Sequence, residues 1–234
     1  MSDGGCLALV GSGEFLEPMR PVDRQLLERC GGSRVVVLPT ASAPDRAGVP
    51  QRWMDLGVAH FRALGAQAEG VLALRREDCD LAEYADAVGQ ANLVYFSGGK
   101  PDYLFQTLER TALWQAALRV LAGGGVLAGC SAGAMILGSH IPDVDSFPRL
   151  VRWGPGFGLV PEALVIPHFD EIPSALASLA YRLRPRGSYL IGVEGGTALV
   201  GKDRGWQVLG SGAVTVRRGQ RAERIGPGQS VELP

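Results

Sequence analysis

Histidine is scarce in this 234-residue chain: there are three, His60, His140 and His168, far apart in sequence. The four cysteines, Cys6, Cys30, Cys79 and Cys130, form no C-x-x-C pair and have no nearby histidine to complete a zinc set. This scarcity argues against a metal site and a disulfide framework, so the cysteines read as reduced thiols and no cofactor is expected. Net charge is lacking too. With 23 basic against 24 acidic residues the chain carries −1 at pH 7, too weak a field to draw in nucleic acid or an anionic membrane. No apolar run approaches the ~18 residues of a membrane span. The opening MSDGGCLALVGSG has no positive segment and too short an apolar one for a secretory signal. A cytoplasmic location is the expectation.

What is present is an ordinary globular composition, 46% hydrophobic and 20% charged, with 33 Gly and 15 Pro that imply many tight connections. The length suits a single α/β domain over 1–234. The runs CLALVG, RVVVLPT, GVLAL, NLVYFSGG, GVLAGC and ALVIPH are apolar on both alternating faces, as strands of a buried parallel sheet must be. Between them, PQRWMDLGVAHFRALG places Trp53, Leu56, His60 and Leu64 at helical spacing. PDYLFQTLERTALWQAALRVLAGG reads as a helix from Pro101 to Gly123-Gly124. Strand and helix in alternation predict a three-layer αβα sandwich with a mostly parallel sheet, ligands gathering at the C-terminal ends of its strands. After about Ser188 the helical pattern stops. Short strands between glycine turns predict antiparallel hairpins extending the sheet, with a β extension over about 205–234. The cluster Arg217, Arg218, Arg221 and Arg224 reads as a solvated hairpin face.

Within LAGCSAGAMILG, Ser131 stands between a buried strand and a helix start, surrounded by Gly129, Ala132, Gly133 and Ala134. G-x-S-x-G in that context has the mechanics of a nucleophile elbow: small neighbours permit a strained turn, and a helix N-terminus favours developing negative charge. A glycine-rich turn that binds phosphate fits the same residues. A second strand end, YFSGGKPDYL, supplies Gly98-Gly99, so the N–H groups of Gly99 and Ala132 are candidate donors to an oxyanion. In GSGEFL the third position of a dinucleotide G-x-G-x-x-G would fall on Leu16, so that fingerprint fails. Gly11 and Gly13 then read as a tight turn carrying Glu14 toward the site.

FSGGKPDYL, GCSAGAMILG, GFGLVPEALVIPHF and IGVEGGTALV, preceded by LVGSGE and LPTAS, resemble the S51 peptidases over Leu7 to Val200. That group includes dipeptidase E and cyanophycinase and has a flavodoxin-like, class I glutamine amidotransferase-like fold. The resemblance implies a cofactor-free serine hydrolase that cuts peptide or isopeptide bonds of small peptides, often next to an acidic residue, and a homodimer. It implies Ser131 as nucleophile and His168 as general base. His168 follows ALVIP, so it sits just past a strand end, on the rim where Ser131 is expected. His60 reads as a core-edge residue, and His140, in the loop after the nucleophile helix, is the second choice. For the third member, Glu194 matches the acidic end of the I-G-x-acid segment, with Asp170, Asp143 and Asp145 as rivals. Cys130, beside the apex, reads as a buried structural thiol.

Glu14, Lys100 and Asp170 are substrate-binding candidates, with Arg149 and Arg152 as further cations. The chain departs from the cyanophycinase pattern after the histidine: PHFDEIPSALASLAYRL offers Asp170 and Glu171 first and no arginine before Arg182, which argues against cyanophycin as substrate. Two other classes fit less of the sequence. A non-catalytic ligand-binding protein on the same scaffold would need only an incomplete triad. An α/β-hydrolase esterase would need Asp143 or Asp145 as its acid and a histidine-glycine oxyanion loop that the sequence lacks.

Overall fold

The computed structural model describes residues 4–143 and 152–234. Fourteen strands are formed among them: β1 (Cys6–Val10), β2 (Arg34–Leu38), β3 (Gln67–Gly70), β4 (Leu93–Phe96), β5 (Val126–Cys130), β6 (Gly138–Pro142), β7 (Trp153–Pro155), β8 (Val160–Ile166), β9 (Tyr189–Val193), β10 (Thr197–Lys202), β11 (Gly205–Gly210), β12 (Val214–Arg218), β13 (Arg221–Ile225) and β14 (Ser230–Glu232). The α-helices are α1 (Arg20–Arg29), α2 (Val49–Ala63), α3 (Ala82–Gly89), α4 (Pro101–Leu108), α5 (Ala112–Ala122), α6 (Ala132–Leu137) and α7 (Ser174–Arg182). The main sheet has the order β14-β11-β10-β1-β5-β4-β2-β3, and a second sheet has the order β13-β12-β9-β8-β6-β7.

Strands β1, β5, β4, β2 and β3 run parallel, while β10, β11 and β14 continue the sheet antiparallel from β1. Their side chains alternate between two apolar faces. Ala8, Val10, Val35, Val37, Leu93, Tyr95 and Ala128 face one side, where Val22 and Leu26 of α1 and Phe61 of α2 pack on them. Leu7, Leu9, Val36, Leu38, Val94, Phe96 and Leu127 face the other, joined by Leu104, Trp114 and Ala117 of the α4–α5 region and by Val165, Ile191 and Val214 of the second sheet. The chain is thus α/β, with the mostly parallel central sheet expected and layers on both of its faces.

Four sequence expectations are corrected in detail. The run GVLAL is not the third strand, which lies earlier at Gln67–Gly70. Val71 and Ala73 instead turn into the core beside this edge strand, whose one partner is β2. The long helix after Pro101 is two helices. Arg110 adopts φ 60°, and the Thr111 hydroxyl caps α5 by accepting from the Trp114 N–H at 3.3 Å. Apolar periodicity runs across that break, so pattern alone cannot locate it. On α2, Leu56 is exposed, and the buried face carries Gly57, His60 and Phe61. Finally, ALVIP (β8) joins the second sheet, and the C-terminal hairpins divide between the two sheets rather than all extending one. The edge beside β1 is occupied by β10, so β8 pairs with β6 and β9 instead. No helix among the described residues is long and apolar enough to cross a membrane.

Candidate active site

Ser131 sits where β5 ends, between β1 and β4, and its N–H donates to the Val10 carbonyl at 3.0 Å. Its backbone is at φ 51°, ψ −113°, a conformation non-glycine residues rarely adopt, while Ala132 begins α6 directly after it. The glycines of G-x-S-x-G make this turn possible. A Cβ on Gly129 would collide with the backbone of Gly133, and one on Gly133 would collide with the Phe96 carbonyl. Strand, elbow and helix are therefore packed backbone to backbone, which lifts the Ser131 hydroxyl onto the rim.

The end of β4 lies alongside. A Cβ on Gly98 would stand 3.3 Å from Ser131 Cβ and 3.8 Å from its Oγ, so the Gly98-Gly99 turn passes immediately beside the hydroxyl. Gly99 has φ 145°, and a side chain there would strike the Ala41 carbonyl, so this turn requires glycine on two counts. Among the described residues, the N–H groups of Gly99 and Ala132 have no acceptor, whereas the Gly98 N–H donates to Glu14 Oε1 at 3.0 Å. Two free N–H groups on either side of a hydroxyl are what an oxyanion site requires.

Glu14 serves these turns from beneath and does not line the cavity. It is 7% exposed; Oε1 holds Gly98 and Oε2 accepts the Cys130 thiol proton at 2.9 Å. This places it as a buttress joining the ends of β4 and β5, a correction to its reading as a substrate contact. Burial and then the neighbouring Glu14 charge push the Cys130 thiol well above its ordinary range, which keeps it protonated and non-nucleophilic. His60 is likewise committed elsewhere: buried on α2, its Nε2 lies 2.8 Å from Asp23 Oδ2.

His168 follows β8 in the second sheet, itself at φ 51°. The Phe169 N–H donates to the Val193 carbonyl at 3.1 Å, pinning the turn against β9. Its Nε2 lies 3.2 Å from Ser131 Oγ. Two sheets thus meet at Ser131, one contributing the serine and the other the imidazole. His140 lies on β6 rather than in a loop, opposite Leu164 of β8.

The carboxylates named as candidate acids are engaged elsewhere. Glu194 does not meet His168: its carboxylate accepts from Arg224 Nε at 3.2 Å, from Arg224 Nη2 at 2.9 and 3.1 Å, and from the Ala213 N–H at 2.9 Å. Arg224 from the hairpin β12–β13 competes for that carboxylate, a long-range pairing no local spacing announces. Asp170 accepts the Gly195 N–H at 2.8 Å and so ties the histidine turn to the β9–β10 turn instead of touching the imidazole or the cavity. Asp143 follows β6, its N–H on the Arg152 carbonyl at 2.9 Å; Asp145 and Arg149 lie outside the described residues. Among the described residues, the carboxylate that faces His168 Nδ1 is Glu171, at 3.5 Å and two-thirds exposed. Its position three residues after His168, across a turn closed by Glu171 N–H to the His168 carbonyl at 2.9 Å, is a signal present in the sequence.

Ser131, His168, Gly99 and Lys100 open onto a cavity of about 450 Å³, in the range of small-molecule sites. Lys100 contributes to its lining while its N–H holds the Ala41 carbonyl at 2.8 Å. Among the described residues no group of three or more His, Cys, Asp or Glu side chains gathers as a metal site.

A family model described as Peptidase family S51 matches residues 7–209. A cyanophycinase from Trichormus variabilis is 30% identical over 224 residues, covering 89% of this chain and 72% of the relative. Among solved structures, a peptidase from an acI-B1 Actinobacterium superposes with TM-score 0.87 at 35% identity, covering 98% of this chain and 97% of that one. A putative peptidase E protein from Listeria monocytogenes EGD-e superposes with TM-score 0.60 at 19% identity, over 95% and 98% of the two chains, which speaks to the fold alone.

Proposed function

Because this chain belongs to peptidase family S51 and is a serine-type peptidase, we propose that Ser131 and His168 are its catalytic pair and that it hydrolyses peptide or isopeptide bonds of small peptides. The observation that carries the assignment is the 3.2 Å approach of His168 Nε2 to Ser131 Oγ, on a serine held at positive φ at the head of α6.

In this reading, Nε2 accepts the serine proton as Oγ bonds to the scissile carbonyl carbon. The negative charge on the carbonyl oxygen is received by the Gly99 and Ala132 N–H groups. The C–N bond then breaks as His168 passes the same proton to the departing nitrogen. A water molecule, deprotonated by the imidazole, hydrolyses the acyl-serine and restores both groups. For Nε2 to accept, Nδ1 must carry the ring proton, and Glu171 is the carboxylate placed to receive it as a hydrogen bond. Glu171 is therefore assigned as the positioning residue for the base.

The test is a pre-steady-state burst with an activated ester. Wild type should release close to one equivalent of p-nitrophenolate and gain the acyl mass on the peptide containing Ser131. Ser131→Ala should do neither. An acyl adduct at another residue, or a full burst from Ser131→Ala, would overturn the assignment.

A further inference from the structure

Beyond the catalytic pair, the cavity has a side that the hydrolysis of an acidic or basic peptide does not explain. It is built by the satellite cluster between β8, β9 and α7, separate from the two main cores. Ile166 and Leu190 form its floor, and Ile172, Leu176 and Ala177 line it from α7 and the turn before, with Trp153 beside them. Among the described residues no carboxylate lines it, and the charged contributors there are Lys100 and, when protonated, His168.

The wall is built in advance. Tyr181, buried on α7, donates its hydroxyl to the Gly219 carbonyl at 2.9 Å, and Arg184 and Arg217 lie over its ring at 3.9 and 4.1 Å. The Trp153 indole N–H donates to the Leu183 carbonyl at 3.0 Å, clamping the helix end. Yet Ile172, Leu176 and Ala177 remain only half-buried. The helix presents an anchored apolar face to the cavity beside Ser131.

Each ligand class can be weighed against this lining. An arginine side chain would find no carboxylate among the described lining residues to meet it. Among the described lining residues an aspartate side chain would meet one permanent cation, Lys100, and would give up its hydration against Ile, Leu and Trp over the rest of the surface. An aliphatic or aromatic side chain meets complementary surface throughout and needs no partner. Resting on the hydrolase reading above, we infer that the cavity selects a substrate with a bulky apolar side chain, of the leucine or phenylalanine kind, next to the scissile bond. This separates the chain from the acid-flanked substrates that sequence resemblance alone suggests.

Two matched series test it: N-acetyl-X p-nitrophenyl esters, varying the acyl side, and Ala-X dipeptides, varying the leaving side, with X = Ala, Leu, Phe, Asp or Arg. From the area such a side chain removes from water, Leu or Phe should exceed Ala in kcat/KM by about 10- to 100-fold in one series, and should exceed Asp and Arg by at least as much. Ala177→Asp, which puts a carboxylate on the helix face lining the cavity, should abolish that preference, and Leu176→Ala should reduce it. Preference for Asp or Arg, or equal rates across both series from an enzyme that shows the burst, would overturn the apolar site and leave the hydrolase intact. Absence of both burst and turnover would overturn the two together.

Discussion

Replacing Glu171 by Gln tests how His168 is held. The Glu171 carboxylate stands 3.5 Å from Nδ1 and is 67% exposed, and His168 itself is 40% exposed. In water-like surroundings two unit charges at that distance attract by roughly 1 kcal/mol. That attraction is felt when the imidazole becomes positively charged in the transition state, so its removal should lower kcat about five- to tenfold. This is far below the ~10⁴-fold loss for an acid buried against its histidine. Because the pair is exposed, the deficit should shrink in 1 M salt, where the screening length falls to about 3 Å. The parallel variant Glu194→Gln, which weakens the Arg224 pair and leaves the Glu171–His168 contact in place, should leave kcat nearly unchanged. Steady-state ester hydrolysis at low and high salt reads all of this. A thousandfold loss in Glu171→Gln, or a large loss in Glu194→Gln with none in Glu171→Gln, would refute the reasoning.

Other substitutions probe the supports. Gly98→Ala places a methyl 3.3 Å from Ser131 Cβ and 3.0 Å from Glu14 Oε1; it should cost about 1–3 kcal/mol in urea unfolding and lower ester kcat at least tenfold. An unchanged kcat would mean the turn is not part of the catalytic geometry. Glu14→Gln can accept from only one of its two donors, Gly98 N–H or Cys130 thiol, so unfolding free energy should fall by about 1–3 kcal/mol; no change would deny the buttress. Burial raises both the Cys79 thiol and the Tyr189 phenol to about 12. The folded state therefore holds these protons more tightly than the unfolded chain. The stability they contribute is complete below their ordinary values of 9.0 and 10.0 and is lost as pH rises toward 12. Thermal midpoints should decline from pH 9 upward, and a flat profile to pH 11 would contradict this.

The strand ends to which the chemistry is assigned are legible in the sequence because each is a local event. Apolar runs closing on Gly98-Gly99, on Ser131 and on His168 are written within a few residues, and the glycines between them are required by close backbone approach. The break between α4 and α5 was not legible, since Thr111 and Arg110 interrupt the helix without interrupting its apolar stripe. Nor was the fate of Glu194. A strand-end acid looks available in sequence, but Arg224, 30 residues on, reaches it once β12 and β13 fold back beside β9. The division of strands between two sheets is of the same kind, because an apolar run states that it is buried and not which neighbour it pairs with. The apolar wall of the cavity depends on both sheets and α7 together, and no single stretch of sequence displays it.

The most direct measurement is intact-mass labelling with a fluorophosphonate, comparing wild type with Ser131→Ala and His168→Ala, each verified as folded by circular dichroism. The account predicts one adduct per wild-type chain, located on Ser131, none on Ser131→Ala, and labelling of His168→Ala slowed by at least about a hundredfold, the scale of a lost general base. Equal labelling of wild type and His168→Ala, or an adduct on any residue other than Ser131, would contradict it.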